Sequence, residues 1–149
     1  MPILLLQLVL LLALPTQSAD LPDEIAVCEA VVLGQVSKWS PEHLNTVIYY
    51  FESRAMPGYV AFPDSFFTKY RTHNPPFKRT TEFTGPPTRA ASTPDWFWSF
   101  RTPQRVDNDT YLVWGGYYCG GLCATHCDYR VVRMNGKWQV QGASRCASS

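Results

Sequence analysis

The dipeptide Asn135-Gly136 separates two runs of alternating side chains, residues 128–134 and 137–141. The favoured two-residue hairpin turn needs positive φ at both central positions, and Asn followed by Gly tolerates this best. The turn therefore fixes a register, with Arg133 opposite Trp138 and Val131 opposite Val140. Slippage by one residue would send every side chain to the other face. In this register Tyr129, Val131, Trp138 and Val140 share a face. Residues 110–119 alternate in the same way, with Leu112, Trp114 and Tyr118 on one face and Tyr111, Val113 and Tyr117 on the other. Asp107-Asn108-Asp109 supplies turn residues before that run, and residues 97–102 read as a further strand. Residues 120–126 read as the loop between the strands. The last third of the chain is thus expected to be an antiparallel meander.

The region before it is helical at its start. Pro22 suits a first turn, and Asp23 and Glu24 suit the positive end of a helix. Ile25, Cys28, Val32, Val36 and Trp39 then recur at three- and four-residue steps, which makes one buried stripe. Ser40-Pro41 is expected to end this helix. Residues 46–51, Thr-Val-Ile-Tyr-Tyr-Phe, are β-branched and aromatic and read as a strand. Residues 63–70 form a short helical candidate that Asn74-Pro75-Pro76 must break. Residues 84–94 read as an exposed loop. One helix followed mainly by a meander gives an α+β fold, an N-terminal helix packed on a curved antiparallel sheet.

Residues 3–14 are leucine-rich and uncharged, interrupted only by the polar Gln7, and small or polar residues, Thr16-Gln17-Ser18-Ala19, follow. A short apolar core with a small-residue exit is the form of a secretory signal peptide. The run is too short for a spanning helix, which needs roughly 20 apolar residues. The expected organisation is a signal peptide over residues 1–19 and a single domain over residues 20–149. The product is then secreted or periplasmic, with no membrane span in the mature chain. Thirteen basic against twelve acidic residues leave a net charge of +1, which gives no electrostatic case for nucleic acid.

All five cysteines, Cys28, Cys119, Cys123, Cys127 and Cys146, follow the leader. Export makes pairing the default, and an odd count leaves one over. Cys28 lies on the helical stripe, where it reads as a small core residue. Cys119, Cys123, Cys127 and Cys146 are the disulfide candidates, and the connectivity stays open among them. Cys119, Cys123, His126 and Cys127 could instead supply four ligands to zinc or copper. The four lie on one loop and match no standard ligand spacing, so a stapled hairpin is the stronger expectation. Cys127 beside His126 resembles a nucleophile and its base, but neighbours on an extended strand point to opposite faces. No motif calls for a cofactor, and no pair of carboxylates stands out as catalytic. Asn108-Asp109-Thr110 fits a glycosylation acceptor on a turn.

The run Tyr118-Cys-Gly-Gly-Leu-Cys123, followed by Tyr129-Arg-Val-Val-Arg-Met-Asn-Gly-Lys-Trp-Gln-Val140, resembles the end of a group of small exported bacterial domains. Those domains carry a Cys-Gly-x-Leu-Cys knot and then a Gly-Lys-Trp-x-Val hairpin. The resemblance covers roughly the last forty residues and the opening helix. It implies a cystatin-like or NTF2-like α+β fold and an exported compartment, and it implies no activity. This chain departs from the group at Ala124-Thr125-His126-Cys127.

Five Trp, eight Tyr and eight Phe are many for this length. Runs such as Tyr49-Tyr50-Phe51 and Trp96-Phe97-Trp98 place rings on both faces of their strands. One face fills a core, and the other meets either a covering layer or a ligand. Trp98, Trp114 and Tyr118 are the ligand-surface candidates. The expectation is a non-enzymatic binding or interaction domain of the bacterial cell envelope, whose partner is a protein or a small apolar ligand. The rival expectation is a metal or thiol-chemistry protein built on the Cys119–Cys127 loop.

Overall fold

A computed structural model describes residues 21–85, 95–120 and 123–149. The expected leader and most of the loop at 84–94 lie outside these residues. The fold is α+β, with a seven-stranded mixed sheet and a few helices.

Helix α1 (Asp23–Val36) carries Asp23 and Glu24 in its first turn, where the helix dipole favours negative charge. Pro22 stands just outside, and its carbonyl accepts from the N–H groups of Ile25 and Ala26. Ile25, Cys28 and Val32 are buried as the periodicity requires, and Val27 and Val31 widen the buried stripe. The helix stops at Val36. Trp39 falls beyond it, partly exposed, stacked on His43 and set edge-on to Trp96. Ser40-Pro41, expected to end the first helix, instead begins a second one. The Ser40 Oγ accepts from the His43 N–H at 3.3 Å, and Pro41 opens the short α2 (Pro41–Leu44).

Strand β1 (Tyr49–Phe51) is shorter than the run 46–51, and all three of its residues are buried. Helix α3 (Asp64–Lys69) follows Pro63 and buries Phe66 and Phe67. Strand β2 (Phe77–Arg79) leads into a 3-10 turn (Thr80–Glu82). Then come β3 (Trp96–Phe100), β4 (Gln104–Asp107), β5 (Thr110–Tyr118), β6 (Ala124–Met134) and β7 (Lys137–Ser148). The sheet order is β2-β1-β3-β5-β6-β7, and β4 pairs with the first part of β5.

The expectation of an antiparallel sheet is corrected here. Strand β1 runs parallel to both β2 and β3, with Tyr49 opposite Phe77 on one side and Trp96 on the other. Long connections leave β1 and return, so no hairpin forces reversal. From β3 onward the sheet is antiparallel. Asn135 and Gly136 have φ of 51° and 74°, as their turn demands, and Arg133 faces Trp138 while Val131 faces Val140. Strand β6 begins at Ala124, so Thr125 and His126 belong to a strand rather than to a loop.

The strands present one face to α1. Trp96, Trp98, Phe100, Tyr111, Val113, Tyr129 and Val131 pack there with the helix stripe, and Tyr117, Trp138 and Val140 border them. The opposite face carries Leu112, Trp114, Tyr118 and His126.

Candidate functional site

The cysteines form two pairs at disulfide distance. Cys119 and Cys123 have Cα atoms 5.1 Å apart across a tight loop, and Cys127 and Cys146 have theirs 4.1 Å apart across β6 and β7. A bulge makes the second pair possible. The β6–β7 register shifts between His126 and Asp128, and Arg145 takes φ of 46° there. This turns Arg145 to meet Asp128 at 2.6 Å. Cys28 is the odd thiol, buried in the core, and burial followed by the nearby Glu24 charge pushes its pKa far up. It is therefore poorly suited as a nucleophile.

The postulated metal set is divided by these pairings. Cys119 meets Cys123, Cys127 meets Cys146, and the His126 Nε2 lies 3.2 Å from the Ser99 Oγ. Among the described residues no three His, Cys, Asp or Glu side chains gather to hold an ion. Cys127 is buried opposite Gly115 on the α1 face, while His126 lies on the other face. The two neighbours thus diverge as an extended strand dictates.

The three aromatic candidates do not form one surface. Trp98, expected on the ligand surface, is 2% exposed and lies in the core under α1. Its register partner is Tyr117, which fixes it to the inner face. Trp114 and Tyr118 are on the outer face. The Trp114 ring meets the Arg101 guanidinium, 4.5 Å from its centroid, and the His126 imidazole, stacked at 5.1 Å. Further along, Phe83 sets its ring edge-on to Tyr50 and Phe97, so the segment after β2 covers that part of the sheet.

The Ser99–His126 pair has the elements of a nucleophile and a base. Burial lowers the His126 pKa, which favours the neutral imidazole and makes it a weaker base. Among the described residues no carboxylate is hydrogen-bonded to its ring, so the orienting third group of a hydrolytic triad is missing. Asn108 sits on the turn before β5, with its Oδ1 accepting from Arg105 at 2.7 Å.

Three concavities border α1, the smallest of them, of about 330 Å³, beside Glu24, Ile25 and Tyr59. A second, of about 520 Å³, lies between the start of α1, Lys69 and the hairpin tip. Its charges are already matched, Lys69 to Glu29 at 2.6 Å and Arg133 to Asp23 at 3.0 Å. The third, of about 440 Å³, opens between the end of α1 and strands β6 and β7. Val31, Gly34, Gln35 and Lys38 form its helical wall, and Tyr129 and Val140 its sheet wall. Thr125, Cys127 and Cys146 also line it. Its size falls in the range of small-molecule sites, and its lining is mostly apolar with a few polar groups. The Gln35 amide donates to the Tyr129 hydroxyl at 3.3 Å. Burial raises the Tyr129 pKa, so the phenol keeps its proton and can donate it.

Gly34 is the telling residue of this cleft. Glycine inside a helix costs up to ~1 kcal/mol relative to alanine. Packing does not require it here, because a Cβ at position 34 would meet only Val140 Cγ2, at 3.9 Å. The missing side chain leaves the cleft open. Sequence reasoning passed over Gly34, Gln35 and the partner role of Tyr129. A helix-interior glycine was the available signal.

Comparison with known proteins finds no matching family model, no matching curated protein and no matching solved structure.

Proposed function

We propose that the chain is an exported, non-enzymatic binding domain of the bacterial cell envelope that holds a small apolar ligand in the cleft between α1 and β6–β7. The observation that carries this reading is Gly34, a costly helix residue whose only evident effect is to keep an apolar cleft open. The sequence resemblance to small exported bacterial domains, which implies a cystatin-like or NTF2-like fold with a helix across a sheet, points the same way. The apolar core at residues 3–14 and the two cysteine pairs support a secreted or periplasmic location. Among the described residues, no helix is long and apolar enough to cross a membrane. The rival metal or thiol reading needs free cysteines. Intact mass with and without reductant separates the two: paired cysteines lower the mass by about 4 Da and leave one thiol to titrate.

The direct test is a fluorescence titration with N-phenyl-1-naphthylamine, an apolar reporter that brightens out of water. Wild-type protein is expected to bind it. Gly34→Leu fills the cleft with a good helix former, so binding should fall at least about tenfold while the unfolding temperature holds or rises. Unchanged binding in that variant, or no binding by the wild type, would remove the cleft from consideration.

A further inference from the structure

The charges beside α1 differ between its two ends. In the concavity at the start of the helix, Lys69 and Arg133 meet Glu29 and Asp23, and all four residues line it. The α1/β6–β7 cleft is lined by the cation Lys38, and no Asp or Glu is among its lining residues. Among the described residues the Lys38 ammonium has neither a carboxylate nor a hydrogen-bond acceptor as partner. The helical wall also has a direction. Gly34, Gln35 and Lys38 follow Val31 at helical spacing, so one side of the turn runs along the cleft. The Lys38 N–H donates to the Gln35 carbonyl at 3.0 Å, which carries this spacing past the last residue of α1. Val31 is buried, Gly34 and Gln35 are half-buried, and Lys38 is exposed. The wall therefore passes from dry and apolar to wet and cationic over about 10 Å.

Gln35 stands where the two characters meet. Its amide carries two N–H donors, and one goes to the Tyr129 hydroxyl at 3.3 Å. Among the described residues the other has no acceptor. An anion at this end meets the Lys38 charge and the spare Gln35 N–H, while an apolar tail along Val31, Gly34 and Val140 stays out of water. We infer that the ligand of the α1/β6–β7 cleft is an amphiphile with one anionic head, an alkyl carboxylate of the fatty-acid type, its head at Lys38 and Gln35 and its tail along Gly34 and Val140. This rests on the cleft being the binding site. A cationic head would meet like charge with no acid to balance it. A phosphate monoester would bring close to two charges against one ammonium. An exposed ion pair contributes little by itself, so the tail supplies most of the affinity and the head decides which ligand is held.

The test is competition against bound N-phenyl-1-naphthylamine on the full mature chain, near neutral pH and at low salt. Decanoate and 1-decanol are compared, because they share one chain length and differ at the head. Decanol is the more easily dehydrated of the two, so a cleft without a usable cation takes it first. Wild-type protein is expected to bind decanoate about threefold to fivefold tighter than 1-decanol. Lys38→Met keeps an unbranched side chain without the charge, and the order should reverse. Lys38→Arg should keep the wild-type order. Gln35→Met should lower the decanoate preference about twofold, and added salt should shrink it in the wild type. Decanoate no tighter than 1-decanol in the wild type, or an unchanged preference in Lys38→Met, would overturn the anionic head. If 1-decanol still displaces the dye in that case, and Gly34→Leu abolishes binding of both, the cleft reading stands. A wild-type protein that binds neither the dye nor the two competitors would overturn both.

Discussion

Around β1 and β3 the sheet is buried under rings. Phe51, Phe62, Phe66, Phe77, Trp98 and Phe100 meet one another there, with Phe62 and Phe66 centroids 4.7 Å apart and Phe51 and Phe77 4.9 Å apart. Under the end of α1, by contrast, β6 and β7 meet the helix through Val31, Gly34, Val140 and Tyr129, and a cleft of about 440 Å³ remains. Two glycines show the difference. A Cβ on Gly115, in β5, would sit 2.2 Å from the Phe100 ring and 2.7 Å from the Ser99 carbonyl. Gly115 is glycine because the ring-filled end has no space. Gly34 is glycine although its end has space to spare. One end is built for density and the other for vacancy, and the same helix bridges them.

The largest expected effect tests that density. Phe66 is fully buried and touches five other rings, so Phe66→Ala should cost about 3–5 kcal/mol of unfolding free energy. Val140→Ala, at the cleft wall, should cost about 1 kcal/mol or less, since part of its side chain already faces open space. Urea denaturation of both variants decides the matter. Similar losses at the two sites would break the distinction between the ends.

The cysteine pairs set a second contrast. Cys127–Cys146 closes 19 residues of separation and Cys119–Cys123 closes 4. Loop-closure entropy assigns about 3 kcal/mol to the longer bridge and about 2 kcal/mol to the shorter. Cys146→Ser should therefore destabilise more than Cys123→Ser in the same denaturation experiment. Both cysteines of the longer bridge also line the cleft. Loss of that bridge is expected to weaken N-phenyl-1-naphthylamine binding, whereas loss of the shorter one should leave binding unchanged.

The glycines give the third. Gly115→Ala should lose about 1–3 kcal/mol through the clash with Phe100, and Gly34→Ala should gain up to ~1 kcal/mol from helix propensity. Opposite signs in thermal unfolding would sharpen the comparison. A loss at Gly34 would mean that close packing rather than an open cleft holds that glycine.

Local chemistry was readable in the chain. The turn at Asn135-Gly136 needs only its own two residues and the alternation beside it, and its register follows. The α1 stripe was readable for the same reason. The parallel pairing of β1 was not, because Tyr49-Tyr50-Phe51 is buried on both faces and carries no mark of a neighbour's direction. Ser40-Pro41 suits the end of one helix and the cap of the next, and only the preceding chain path decides. For Trp98 a clue was present. Ser99 is the one polar residue of β3, and it marks the outer face, which places Trp96, Trp98 and Phe100 inward. The cleft itself arises from how far apart α1 and β7 stand, which no local pattern encodes.

The smallest effect extends the contrast from packing to charge. On the outer face His126 is partly buried against Trp114 and bonded to Ser99, and burial holds its pKa below the ordinary histidine value. The unfolded chain takes up a proton at this residue near pH 6.5, whereas the folded chain resists it. The group's contribution to stability is therefore complete above about pH 6.5 and is lost as the pH falls through the folded pKa. His126→Gln removes that dependence. Between pH 7 and pH 5 the wild type should lose stability relative to the variant, a range in which most carboxylates stay ionised in both proteins. An NMR titration of the His126 ring should place its midpoint below that of a free histidine. A flat difference curve, with an ordinary midpoint, would mean that the Trp114–His126 stack stands open to water. The outer face would then supply no desolvated groups, and the inner face alone would hold the buried polar chemistry of this fold.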